Sequence, residues 1–334
     1  MRTPWVLVFL LGTAPMRLEG QEGGIQFLSR TEASAAFTNA DAEAYYVRLQ
    51  LGEMRAKTGL RLRGMDLVRA RGATERTYAA ATEDFTGRER AVLRQAIAAM
   101  QPVIRAHAPL YARMPWSFIK IKPTIEGGLP FTWGNSIVLP DIELRAIVNK
   151  DANEHFDQPS ELWSFLLHEQ THVLQRETPQ LFVSLYTDVF GFHQARVPLP
   201  DSVRARSIID PDAPFAEWIY PLGSGTTQHW VLPMVELREL NHPKMPADFS
   251  VVALRVHKVA GNQWAIDDDR STAKQVDLAS LAEYMDAFPV KDLAFHPGEI
   301  AGGMLGELLS GASKDNPQHE LWAKTERWAE RALR

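Results

Sequence analysis

The chemistry written most plainly in this chain is His168-Glu169-Gln170-Thr171-His172. On an α-helix, residues four apart stack on one face, so His168 and His172 can present two imidazole nitrogens to a single metal ion. Glu169 then stands one position round from that ion, where a general base takes a proton from a metal-bound water. The flanking residues read as a helix. Pro159 and Ser160 supply a stop and an N-cap, and Leu162, Phe165, Leu166, Leu167, Val173 and Leu174 form a broad apolar face that turns the histidines inward. The competing reading is two helix histidines that merely cap or pair with neighbouring carboxylates. The uncharged Gln170 and Thr171 between them, and the apolar flanks, favour a metal.

Two histidines do not complete a catalytic zinc site, which needs a third protein ligand and an open position. The chain has no cysteine, so that ligand must be His, Asp or Glu, and neither a disulfide nor a lipid-modified cysteine is available. A further histidine six residues past the motif is excluded, because that position is Thr178. Glu299 is the candidate. Pro297 suits the first turn of a helix, and Ile300, Met304 and Leu308 mark its buried stripe. A neighbouring stripe carries Glu299, Gly302, Gly303 and Gly306, and each glycine costs a helix about 1 kcal/mol relative to alanine. Close approach to the motif helix explains that cost. Asp188 is the alternative third ligand. Tyr220, His229 and His257 have the chemistry to donate a hydrogen bond to a tetrahedral intermediate, while His193 and His296 read as supporting or surface residues.

The motif helix, residues 296–309 and, loosely, residues 129–140 resemble the zincin metallopeptidases. Among these, the likeness is to gluzincin-like exported bacterial proteins whose third ligand is a glutamate on a His-Pro-x-Glu helix. The resemblance implies an α+β, zincin-like fold and Zn2+ held by His168, His172 and Glu299, with Glu169 as general base of a peptidase or related amide hydrolase. It also implies a strand before the motif helix that holds an extended peptide or protein substrate antiparallel, with residues 134–138 the candidate. Read from the residues alone, the same strand serves equally well inside the sheet. The chain departs from the pattern in its long separation between His172 and Glu299. It departs again at Gly303, where such helices often carry an acid that orients a ligand histidine. A non-catalytic metal- or ligand-binding protein on the same scaffold is the alternative which that departure supports.

The elements that must position these residues follow from composition and periodicity. At 334 residues, with 45% hydrophobic and 23% charged content, the chain can bury a sizeable core, and a formal charge of −5 argues against nucleic-acid or anionic-membrane partners. Residues 1–21 read as a signal peptide, with a positive start and an apolar run from Trp5 to Leu11 too short to span a bilayer, so an exported protein without an integral membrane segment is expected. Residues 22–115 read as a helical region, with helices over 41–57 and over 87–113, the latter kinked at Pro102 and Pro109. Residues 116–200 combine a small sheet, with strands over 117–122 and 133–139, with the motif helix. The Pro- and Asp-rich stretch 197–214 reads as an internal boundary. Residues 201–270 read as a β-rich insertion, and residues 271–334 as a C-terminal helical region carrying the third ligand.

Overall fold

The computed structural model describes residues 24–151, 159–213, 217–269, 272–311, 314 and 316–334, and the expected signal peptide lies outside them. The fold is mixed, with helices packed on two main sheets. Among the described residues no helix is long and apolar enough to cross a membrane.

The first sheet contains β1 (Ile25–Phe27), β2 (Thr82–Glu83), β3 (Trp116–Ile121), β4 (Phe131–Trp133) and β5 (Ser136–Pro140). Its order is β1-β3-β5-β4, with β1, β3 and β5 parallel, β4 antiparallel to β5, and β2 pairing antiparallel with β3. Alternation along the strands feeds two cores. Trp116, Phe118, Ile137 and Leu139 face the motif helix and the C-terminal helices. Ile119, Ile121, Val138, Phe131 and Trp133 face the four N-terminal helices. β1 and β2 went unread in the sequence because two or three residues carry no periodic signal.

Several expected elements divide. Residues 133–139 are not one strand: Gly134 (φ +56°) and Asn135 turn the chain, Trp133 pairs with Ser136, and β5 becomes an internal strand. The edge is therefore β4, not residues 134–138. Residues 41–57 form two helices, Ala40–Tyr46 and Leu51–Thr58. Leu49 between them is buried, and its carbonyl oxygen accepts from Arg71 across the fold (3.2 and 3.3 Å) instead of from a helical neighbour. Pro102 sits inside the continuous helix Gly87–His107, whereas Pro109 opens a new helix, Pro109–Arg113.

The second sheet is antiparallel and draws on a wider span than residues 201–270. It comprises β6 (His193–Ala195), β7 (Glu217–Leu222), β8 (His229–Leu237), β9 (Phe249–Ala260) and β10 (Gln263–Ile266), in the order β10-β9-β8-β7-β6. A small hairpin, β11 (Asp268–Asp269) with β12 (Thr272–Ala273), precedes β13 (Gln275–Asp277), which pairs with β9. One face, through Trp218, Val231 and Ala253, joins the main core; the other, through Ile219, Leu232, Leu254 and Trp264, forms its own.

Candidate metal centre

The motif helix spans Glu161–Glu177, capped by Ser160, whose hydroxyl accepts the Trp163 N–H. Its partner is the helix Pro297–Ser310, with Pro297 at the first turn and Gly311 (φ +69°) closing the end. The glycines explain how closely the two approach. A Cβ on Gly306 would lie 2.6 Å from the Ser164 carbonyl oxygen, and one on Gly302 would lie 3.0 Å from His168 Nδ1 and 3.2 Å from His172 Nε2. Gly303 points elsewhere: its Cβ would meet Leu293 at 2.5 Å and Val290 at 3.5 Å. An acid there would not reach a motif histidine.

His168, His172 and Glu299 converge. The two Nε2 atoms are 2.9 Å apart, Glu299 Oε2 is 3.4 Å from His168 Nε2, and Glu299 Oε1 is 3.3 Å from His172 Nε2. A tetrahedral ion with ligands at about 2.0–2.1 Å has donors about 3.3–3.4 Å apart, so a small expansion between the two rings fits the triangle to zinc. Gln175 fixes the ring of His172. Its amide nitrogen donates to Gly298 O (3.0 Å), which leaves its carbonyl oxygen to accept His172 Nδ1–H at 2.9 Å and turns the Nε2 lone pair toward the triangle. Gln175 thus orients the His172 ring, a contact for which the sequence resemblance implied an acid at the position of Gly303.

The electrostatics favour positive charge at the centre of the triangle. Burial works against ionising His172, but Glu299 and then Asp212 hold its pKa well above the ordinary histidine range. Burial likewise opposes ionisation of Glu299, yet His172 and His168 hold its carboxyl well below the usual range. Glu169 moves the other way. Burial, then Asp212 and Glu299, push its pKa well up, against the pull of His172. Glu169 is 5% exposed, and its Oε2 has no hydrogen-bond partner.

Of the stretch 197–214 that reads as an internal boundary, the described residues 197–213 instead cross the site. Ile208 N–H donates to Val235 O (3.0 Å), Ile209 N–H to Glu53 Oε1 (2.6 Å), and Lys57 Nζ to Ile209 O (2.8 Å). Further on, Arg176 donates to Pro211 O (2.9 Å), Thr132 Oγ1 (3.0 Å) and Gly134 O (2.6 Å). Asp212 Oδ1 accepts both the N–H (2.7 Å) and the hydroxyl of Thr132, on the edge strand β4. The strap thereby brings Asp210 and Asp212 within reach of Glu299, and burial, then Glu299 and Asp212, push the Asp210 carboxyl well above its ordinary range. The two aspartates share a turn, with Ala213 N–H donating to Asp210 O (3.2 Å), and the signal available in the sequence was the turn-prone run Asp210-Pro211-Asp212.

A cavity of about 940 Å³ opens over the site. His168, Glu169 and Glu299 form its polar floor, while Leu129, Phe131, Leu199, Leu232 and Met234 contribute apolar walls. His296 lines it too, with Nδ1 accepting the Gly298 N–H (3.0 Å) at the helix start. Asp188 is not in the triangle; it is exposed and accepts from Thr187 (2.8 Å). The three residues considered for an oxyanion contact lie elsewhere. Tyr220 packs among Phe192, Tyr284 and Phe288. His229 approaches Thr227 O (3.2 Å), and His257 pairs with Asp267 (2.5 Å). Compared with protein-family models, curated proteins and solved structures, the chain finds no match.

Proposed function

We propose that the chain is an exported zinc-dependent hydrolase with a zincin-like fold, most simply a peptidase acting on peptide or protein substrates. His168, His172 and Glu299 hold the ion, and Glu169 moves the proton. The observation supporting this reading is the donor triangle, with separations of 2.9, 3.3 and 3.4 Å, beside a buried carboxyl group that is short of hydrogen bonds. A zinc ion there supplies Lewis acidity to a water molecule and to a substrate carbonyl. Glu169, its pKa pushed upward, is a strong enough base to take a proton from that water and a strong enough acid to hand it to a leaving amine. Gln175 keeps His172 aimed, and Gly302 keeps the space between the rings open.

A second reading, a metal- or ligand-binding protein without efficient catalysis, is favoured by one contact. The outward N–H of Thr132 on the edge strand is already bonded to Asp212, so an extended peptide cannot use that donor. The test is elemental analysis and peptide-library turnover of the parent beside His168→Ala, Glu299→Ala and Glu169→Gln. The hydrolase reading requires about one zinc per chain, lost in the first two variants, and turnover that collapses in the third while zinc stays. Zinc unaffected by Glu299→Ala sinks the ligand assignment, and turnover unaffected by Glu169→Gln sinks the mechanism.

A further inference from the structure

We propose that Asp210, Asp212 and Glu299 hold a second divalent cation, a hard ion bound only by oxygen, with Glu299 bridging it to the zinc position. The inference goes beyond the zinc reading and shares Glu299 with it.

Carboxylate oxygens of the three residues lie within 4.8 Å of one another. Ions such as Ca2+, with oxygen ligands at about 2.3–2.6 Å, hold neighbouring donors about 3.3–4.5 Å apart and opposite ones up to about 5.2 Å, so separations under 4.8 Å bring the three carboxylates within reach of one ion. With no imidazole or thiolate among the donors, the set selects calcium-, magnesium- or manganese-like ions over zinc.

A group of acids alone would not establish a site. Here, Glu299 is 6% exposed and its Oε1, 3.3 Å from His172 Nε2, makes no well-formed hydrogen bond. Glu169, 5% exposed, leaves Oε2 in the same condition on the floor of the same cavity. A buried carboxylate oxygen without a donor is costly, and coordination by a cation removes that cost. Arg176 does not supply the missing charge through hydrogen bonds: those it makes go to the neutral oxygens of Thr132, Gly134 and Pro211. The carboxyl groups of Glu169, Asp210, Asp212 and Glu299 all line one cavity.

The strap could instead be a removable cover that plugs the first metal position. Its anchoring argues otherwise. Both backbone groups of Ile209 are held by Glu53 and Lys57, side chains that are 0% exposed, and Lys57 is tied in turn to Glu126 (3.0 Å). Lifting the strap would strand buried charges, whereas a cover needs weak, exposed attachments. Asp210 and Asp212 are thus permanent parts of the site. Asp212 N–H donates to Asp210 Oδ1 (2.9 Å), which sets the two carboxylates in a fixed relation.

The experiment equilibrates the metal-stripped full chain with Zn2+ and Mn2+ together, removes free metal, and counts both by elemental analysis, beside Asp210→Asn and Asp212→Asn. A manganese titration followed by electron paramagnetic resonance reads the affinity. We expect about one zinc and one manganese per chain in the parent. Each variant should keep its zinc, which also shows that it has folded, while its manganese affinity falls at least tenfold. Zinc bound without manganese overturns the proposal, as does manganese that neither variant weakens. Loss of zinc together with manganese in Asp210→Asn also overturns it, because the aspartate then serves the first ion. Manganese without zinc in the parent supports this site while overturning the zinc hydrolase.

Discussion

Gln175 accepts the Nδ1–H of His172 at 2.9 Å and donates its own amide to Gly298 O at 3.0 Å, joining the motif helix to a residue 123 positions away. One side chain thus sets the tautomer of His172 and the registration of the helix that carries Glu299. Removing such a contact weakens a metal site by roughly 10–100-fold. Gln175→Leu should lower zinc affinity by that factor in a competition titration with a chromophoric chelator. An unchanged affinity would mean that Gln175 only fills space.

The glycines of the Glu299 helix separate by the direction each one faces. Gly302→Ala places a methyl group 3.0 Å from the His168 ring and 3.2 Å from His172 Nε2, so it should reduce zinc affinity at least tenfold. Gly306→Ala meets the Ser164 backbone oxygen at 2.6 Å and must push the helices apart, costing about 1–3 kcal/mol of stability. Zinc titration and urea unfolding of both variants should show each effect mainly in its own measurement. Equal effects of the two substitutions on both would refute the assignment of faces.

Beneath the strap, Lys57 lies between Glu53 (3.7 Å) and Glu126 (3.0 Å), with Tyr45 accepting a hydrogen bond from its ammonium at 2.7 Å and Tyr78 bonded to Glu126. Lys57→Met would leave two carboxylates uncompensated in the interior and free the Ile209 carbonyl. A loss of about 3–5 kcal/mol in urea unfolding is expected. A loss below 1 kcal/mol would show that the cluster does not anchor the strap.

Glu53 also predicts a pH dependence. Burial raises its pKa from 4.5 to about 7, against the opposing pull of Lys57. Between those values the folded chain binds a proton that the unfolded chain has released, so stability falls as pH rises through that interval and levels off above it. The contribution is about 3 kcal/mol, and Glu53→Gln should remove most of it. Unfolding midpoints of parent and variant from pH 4.5 to 8 check this; parallel curves would refute it.

The sequence alone determined the two histidines, the general-base candidate and the companion glutamate. A capped amphipathic helix places His168 and His172 on one face whatever surrounds it, and a glycine-bearing stripe beside Glu299 demands a close neighbour. Periodicity did not resolve the direction of Gly303. Gly302 and Gly306 face the motif helix while Gly303 faces Leu293, so Gln175, and not an acid at position 303, holds the His172 ring. The turn at Gly134 and Asn135 was written in glycine and asparagine, yet the strand signal on either side concealed it.

Only the tertiary structure decided what covers the site. Glu53 and Lys57 sit four apart on a helix, a spacing that normally describes a solvated pair, and burial becomes evident only once Ile209 lies between them. Asp210-Pro211-Asp212 has the composition of a linker. Its carboxylates reach Glu299 because Arg176, Thr132 and the buried Lys57 cluster hold the strap across the cavity. Local periodicity records which face a residue occupies, but it cannot record which distant segment is folded against that face.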